Sequence, residues 1–109
     1  MKGKIVLIPF PFTDLTAAKL RPALAIYEGE KDVLVVFISS KVPSKPSEVD
    51  ILITTNRTGF GKTGLKADSA IKLDKIATVL KDLIVGELGE LDEELKQEVN
   101  QKMRRIMEI

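Results

Sequence analysis

Most of the chain consists of short β-rich runs, and each run ends at a polar or proline-containing break. This pattern restricts the chain to a small number of fold classes. The runs extend from Lys4 to Phe10, Pro22 to Glu28, Val33 to Ser40, Val49 to Thr55, Asp68 to Asp74, Ile76 to Val79 and Leu83 to Leu88. Many short strands in one chain predict a barrel or a sandwich. Because 109 residues ordinarily form one domain, we expect a single domain over residues 1–109.

The third run, "VLVVFISS", is apolar at consecutive positions until its last two residues. Such a run is typical of a strand that is covered on both faces. We therefore expect it at the centre of the sheet, with Ser39 and Ser40 delivered to the rim. Alternation along the strand leaves open which serine points where.

The period of the apolar residues changes in the C-terminal part of the chain. From Asp92 onward, Leu95, Val99, Met103 and Ile106 recur at helical spacing, and the opposite face is charged. Asp92 is suited to the N-cap position. The sequence therefore predicts one C-terminal amphipathic helix whose apolar stripe covers the sheet.

The composition restricts the chemistry that the chain can perform. It contains no cysteine and no histidine, so disulfides and thiolate metal sites are excluded, and a zinc enzyme is not expected. We expect no cofactor. Residues 1–80 carry a net charge of +4 and residues 81–109 a net charge of −3. The positive part is compatible with a polyanionic partner, although modest imbalance is common on solvated surfaces.

The segment "TGFGKTG" contains part of a phosphate-binding loop pattern. The full pattern places a glycine five residues before Gly-Lys-Thr, where this chain has Asn56, and it requires a following helix. Here the following residues alternate, with Ile71 and Leu73 between Lys72 and Asp74, as in a strand. We therefore expect a glycine-rich surface loop between two strands.

The N-terminal stretch "MKGKIVLIPFPFTD" begins with lysines and an apolar run, as signal peptides do. Pro9, Pro11 and Asp14 interrupt this run, and no cleavage site of small residues follows it. No apolar run approaches the length that spans a membrane. We expect a cytoplasmic protein without membrane contact.

Arg21 is the first candidate functional residue. It precedes Pro22 at the entrance of a strand, where the fixed proline geometry would hold the guanidinium rigidly enough to bind a phosphate. An exposed arginine or a local ion pair is the alternative explanation.

Four further candidates lie on the later strands. Ser39, with Ser40 as its alternate, offers a hydroxyl that can donate to a phosphate oxygen, although serines at strand ends are usually structural. Lys72 and Asp74 stand two residues apart and therefore share one face of a strand. A surface salt bridge is their ordinary explanation.

These landmarks occur in the same order in a known family. The chain resembles the MazF/PemK-like toxins of type II toxin–antitoxin modules through "KGKIVLIPFPFTDLTAAKLRPALAIYE", "VVFISS" and "TGLKADSAIKLDKIATV". The resemblance implies a mainly β fold, an SH3-like (CcdB/PemK-like) β-barrel with a C-terminal α-helix, and a homodimer. It also implies a metal-independent endoribonuclease that cuts single-stranded RNA, often mRNA, at short sequences.

In such toxins the arginine of the "RP" motif and a threonine at the end of the third strand line the active site, and they match Arg21 and Ser39. An arginine and an aspartate that act in some members match Lys72 and Asp74. The resemblance thus implies Arg21, Ser39 and Asp74 as catalytic residues.

The same resemblance implies RNA contacts for Lys19, Ser40 and Lys72. A small antitoxin with a disordered, often acidic segment is the implied protein partner. RNA supplies its own nucleophile, the 2′-OH, and the expected products are a 2′,3′-cyclic phosphate and a 5′-hydroxyl.

Two other functions stay open at this point. CcdB-like toxins share the barrel and inhibit DNA gyrase by protein contact, because a fold does not fix a function. A degenerate RNA-binding protein is the second alternative, since Ser39 and Lys72 replace the usual family residues.

Overall fold

A computed structural model describes residues 1–10 and 19–109, and residues 11–18 of the opening motif lie outside the described residues. The elements are β1 (Lys4–Phe10), β2 (Lys19–Glu28), β3 (Asp32–Ser39), β4 (Asp50–Ile53), α1 (Phe60–Thr63), β5 (Ser69–Leu80), a 3-10 turn (Lys81–Leu83), β6 (Gly86–Glu90) and α2 (Glu93–Met107). The mainly β fold with a C-terminal helix is confirmed. Among residues 1–10 and 19–109, no helix is both long enough and apolar enough to span a membrane.

The strands form one six-stranded antiparallel sheet that curls into a half-barrel. Their order is β4-β5-β3-β2-β1-β6. β3 therefore lies inside the sheet between β5 and β2, as its continuous apolar run predicts. Because strand residues alternate between faces, β3 contributes Val36 and Ile38 to one face and Val35 and Phe37 to the other.

Each face of the sheet has its own apolar cluster. The first cluster includes Leu24, Ile71 and Leu73 and packs against α2 through Leu95 and Val99. The second cluster consists of small and β-branched residues on the opposite face: Val6, Ile8, Ala23, Ala25, Val33, Val35 and Val79. The helix therefore covers one face only, and the other face is available for a site.

The helix α2 begins and packs as its sequence predicts. The Oδ1 atom of Asp92 accepts a hydrogen bond from the backbone N–H of Leu95 over 2.9 Å, which is the N-cap interaction. Met103 and Ile106 continue this stripe as partly buried side chains packed against the cluster.

Two cationic side chains fasten α2 to the β4 region. Arg57 donates to Glu98 over 2.7 Å, and Lys102 of α2 donates to the backbone carbonyl of Asp50 over 2.9 Å. The helix is therefore fixed by polar contacts as well as by its apolar stripe.

Several strand limits differ from the sequence prediction. The runs Asp68 to Asp74 and Ile76 to Val79 form one strand, β5, because the backbone stays extended through an irregularity at the predicted break. β2 begins earlier, at Lys19, and β4 is shorter than the predicted run. The run from Leu83 begins in the 3-10 turn, and β6 pairs only from Gly86.

The glycine-rich segment is also more ordered than a surface loop. Phe60–Thr63 forms the single turn α1, and Thr63 is fully buried. Gly64 has φ +75°, and a Cβ atom on it would lie 2.2 Å from the carbonyl oxygen of Leu88 in β6. A Cβ on Gly89 would lie 2.3 Å from the carbonyl oxygen of Lys62. These glycines allow α1 to pack directly against β6, which explains the segment without a bound phosphate.

Candidate active site

A cavity of about 460 Å³ opens on the side of the sheet opposite α2. Four of the six residues predicted from the sequence line it: Arg21 from β2, Ser39 from β3, and Lys72 and Asp74 from β5. The sheet therefore brings together side chains from three different strands.

The other two predicted residues lie outside the cavity lining. Lys19 is exposed at the start of β2, where its cross-strand partner Phe10 does line the cavity. Ser40 is exposed directly after the end of β3. Lys19 thus lies beside Phe10 across neighbouring strands, and Ser40 lies beside Ser39 along the chain.

Arg21 is available to an anionic ligand. It pairs with Ile8 of β1, whereas the pairing of β2 with β3 begins only at Ala23, one residue beyond Pro22. The side chain is exposed and forms no ion pair or hydrogen bond with any residue that the structure describes. A guanidinium in this position can bind two oxygen atoms of one phosphate.

Ser39 occupies the neighbouring position at the end of β3. Antiparallel pairing joins Ala23 to Phe37, and Arg21 and Ser39 each lie two residues farther toward the same rim. The Oγ atom of Ser39 accepts a hydrogen bond from the backbone N–H of Lys41 over 3.1 Å. The hydroxyl proton is therefore free to point toward a ligand, since this contact uses the oxygen as an acceptor.

An irregularity in β5 presents Asp74 to the cavity. The register pairs Val36 with Ile76 and Phe37 with Lys72, so three β5 residues from Leu73 to Lys75 face a single step of β3. Such bulges change the direction of side chains and are frequent beside active sites. The Asp74 carboxylate is 44% exposed, and its ion pair with Lys75 is long, at 3.7 Å. This carboxylate is accessible from the cavity.

Lys72 is held by a buried carboxylate that the sequence analysis did not identify. Its Nζ atom donates to Oδ1 of Asp50 over 2.9 Å. The backbone N–H of Ser47 donates to Oδ2 of Asp50, also over 2.9 Å. This hydrogen bond, and to a smaller extent the interaction with Lys72, lowers the pKa of Asp50, although burial alone would raise it. Asp50 therefore stays ionised and fixes the position of Lys72 at the edge of the cavity.

The cavity also has an apolar wall that the sequence analysis missed. Phe10 and Phe37 contact each other with ring centroids 5.2 Å apart, and Ile76 lies in the same wall. Lys75 adds a further cation to the lining. The spacing of two residues between Phe37 and Ser39 was the available sequence signal, because it places both on one face of β3.

Solved structures with the same fold match almost the whole chain. The Mycobacterium tuberculosis toxin MazF-mt6 aligns with a TM-score of 0.72 and 15% identity over 97% of each chain. An endoribonuclease in complex with its cognate antitoxin, from a mycobacterial species, aligns with a TM-score of 0.71 and 16% identity over 98% of this chain and 93% of that one. The MazE–MazF complex of Deinococcus radiodurans gives a TM-score of 0.71 and 15% identity over 99% of this chain and 94% of that one. At these identities the likeness establishes the fold.

Sequence comparison identifies the family. A search of curated proteins finds no significant match. The family model of PemK-like, MazF-like toxins of type II toxin–antitoxin systems matches residues 1–107. Because this match spans nearly the whole chain, the protein belongs to the PemK-like, MazF-like toxins of type II toxin–antitoxin systems.

Proposed function

We propose that this protein is a metal-independent endoribonuclease that cleaves single-stranded RNA. The observation that carries the proposal is the convergence of Arg21, Ser39 and Asp74, from three strands, on one cavity in which Arg21 has no ion pair among the described residues. Family membership and the endoribonuclease of the same fold support the same activity. In this proposal, the contacts between the RNA and the residues around this cavity determine which sequence is cut.

The reaction that fits these residues uses the 2′-OH of the RNA as its nucleophile. This oxygen loses its proton and attacks the adjacent phosphorus, and the bond to the 5′-oxygen of the next nucleotide breaks. The departing oxygen keeps the bonding electrons and takes a proton from water, so the products are a 2′,3′-cyclic phosphate and a 5′-hydroxyl. Arg21 binds the phosphate and stabilises the additional negative charge of the pentacoordinate state. The planar fork of N–H donors on its guanidinium suits a phosphate clamp.

Ser39 and Asp74 complete the proposed catalytic group. The Ser39 hydroxyl donates a hydrogen bond to a non-bridging phosphate oxygen, because its bond from the Lys41 N–H uses only a lone pair and leaves the proton free. The Asp74 carboxylate either takes the proton of the 2′-OH or orients Arg21 through an ion pair. In both roles its accessibility from the cavity is required.

The RNA strand is held beyond the reacting phosphate by Lys19, Ser40 and Lys72. Lys19 and Ser40 are exposed beside Arg21 and Ser39 along their strands. Lys72 uses one of its three donors on Asp50 and can offer the others to a phosphate oxygen.

We also propose two protein partners. A second copy of the chain forms a homodimer, and a cognate antitoxin covers the RNA surface, as the presence of an antitoxin in the mycobacterial complex suggests. An acidic, disordered antitoxin segment is chemically suited to the exposed cations around the cavity.

The test is cleavage of an unstructured, end-labelled RNA by the purified protein in excess EDTA. Cleavage should persist, and the 5′ ends should accept phosphate from a kinase without prior phosphatase treatment. Arg21→Ala should lower the cleavage rate by at least about 100-fold, the effect of removing one donor to a developing oxyanion. Arg105→Ala, an exposed arginine on α2, is the matched control and should cleave normally.

The outcomes separate this function from its two rivals. Normal cleavage by Arg21→Ala contradicts the mechanism, and RNA binding without cleavage by the native chain indicates a degenerate binder. Gyrase inhibition that survives Arg21→Ala and disappears on removal of residues 107–109 indicates a CcdB-like protein binder.

A further inference from the structure

Two phenylalanine rings meet across β2 at the position of Arg21. Phe10 belongs to β1 and Phe37 to β3, and β2 lies between these strands. The register pairs Phe10 with Lys19 and Phe37 with Ala23, so Arg21 is midway between the two paired positions and on the same face. The aromatic pair therefore crosses the strand that carries the proposed phosphate clamp.

The ring pair has a geometry that favours a fixed aromatic surface. The rings are tilted by 55° at a centroid separation of 5.2 Å, within the range of favourable aromatic pairs. Phe10 remains 38% exposed, and Ile76 in the same wall is 39% exposed. When a flat apolar ligand covers an apolar wall that is open to water, the free energy falls because apolar surface is removed from water.

The surroundings of this wall restrict the kind of ligand. The remaining lining is mainly charged and includes Arg21, Lys72 and Lys75. A suitable ligand must therefore present a flat aromatic group directly beside an anion. Nucleotides do so, because each phosphate is joined through one sugar to a nucleobase.

We propose that Phe10 and Phe37 form a stacking surface for one nucleobase next to the phosphate that Arg21 binds. This inference rests on the proposed function, and it adds that base recognition at the cut site begins with stacking. Stacking is tolerant of sequence, since every base has an aromatic face. The surface therefore holds the nucleotide in place, and polar groups around it select the base.

The test uses single-stranded DNA, which lacks the attacking 2′-OH and is not consumed by the proposed reaction. One oligonucleotide carries 2-aminopurine at successive positions, and an abasic strand of equal length keeps the phosphates. The native protein should quench the fluorescence at one position and bind the base-containing strand more tightly than the abasic strand. Phe10→Leu and Phe37→Leu should each reduce that preference by about 5-fold to 100-fold, the usual effect of losing one stacked base.

Controls separate stacking from general destabilisation. Phe10→Tyr and Phe37→Tyr keep an aromatic ring and should retain quenching, and Tyr27→Leu removes an exposed aromatic side chain elsewhere on β2. An unchanged preference in the leucine variants, or no preference in the native protein, overturns the proposal. RNA cleavage that persists in that case leaves the proposed function intact, whereas base-dependent binding without any RNA cleavage supports stacking and contradicts the nuclease.

Discussion

Asp50 of β4 and Lys72 of β5 form an ion pair of 2.9 Å beside the cavity, with the Asp50 side chain 6% exposed. The register places them directly opposite each other on neighbouring strands. The pair connects the cavity to the edge of the sheet, where the Asp50 carbonyl also accepts a hydrogen bond from Lys102 of the helix.

Loss of the Asp50 charge should destabilise the fold in a pH-dependent manner. The folded state lowers the pKa of Asp50 below its ordinary value of 3.8, so the stabilisation is present above that value and is lost as the pH falls through the lower, folded pKa. At neutral pH, Asp50→Asn should lower the free energy of unfolding by about 1 to 3 kcal/mol. Urea unfolding across the pH range should show this difference shrinking below pH 3.8. Asp82→Asn, in the exposed 3-10 turn, should show little effect, and a pH-independent loss in Asp50→Asn contradicts the assignment.

The hydroxyl of Ser39 should be required for cleavage and not for folding. Ser39→Ala should lower the cleavage rate by about 100-fold, because the phosphate loses a donor when its charge increases. Ser39→Thr keeps the hydroxyl and should remain active. Ser44→Ala, in the loop after β3, is the control. Thermal unfolding of each variant monitors the hydrogen bond that Ser39 accepts from Lys41. Full activity of folded Ser39→Ala removes this residue from the mechanism.

Salt should weaken the binding of single-stranded nucleic acid through the cations around the cavity. Each phosphate contact adds about 0.7 to the slope of log affinity against log salt concentration. Arg21→Gln and Lys19→Gln should each reduce the slope by about that amount, measured by fluorescence anisotropy with single-stranded DNA. Lys31→Gln, in the β2–β3 hairpin at the opposite end of β2, should leave it unchanged. Equal slopes for all three variants indicate that the phosphates bind elsewhere.

Two glycines in one short segment should respond oppositely to the same substitution. Gly64→Ala should cost more than about 2 kcal/mol of unfolding free energy, because it combines a positive φ with a collision against the Leu88 carbonyl. Gly61→Ala should be neutral or stabilising by up to about 1 kcal/mol, since no atom lies within 4 Å of the new Cβ and alanine favours the helix. Denaturant unfolding measures both, and equal costs contradict the tight packing of α1 on β6.

The fold was largely predictable because the signals that determine it are local. The continuous apolar run before Ser39 placed β3 inside the sheet, and the helical spacing from Leu95 with Asp92 at the N-cap defined α2. The irregularity at Asp74 was visible only as a break between two runs, since its extended backbone depends on pairing with β3. The one-turn helix α1 was missed because its packing depends on Gly89 in β6 and on Gly64 directly after the helix.

The cavity was less predictable because cross-strand neighbours depend on register. Arg21 and Ser39 were candidates from their places at strand ends, and the structure brings them to one cavity. The Phe10–Phe37 contact spans an intervening strand, and the Asp50–Lys72 contact joins residues 22 positions apart. No local pattern in the sequence specifies either pair.

Successive residues of β3 face two different environments, the apolar cluster beneath the helix and the cavity. Val36 and Ile38 belong to the cluster beneath the helix, although Ile38 also borders the cavity, and Phe37 and Ser39 line the cavity from the other face. Insertion or deletion of a single residue within this strand would exchange the two sets, turning a hydroxyl into the interior and an isoleucine toward the solvent. Around β3, evolutionary changes of length are therefore confined to the hairpin before Asp32 and the connection after Ser39.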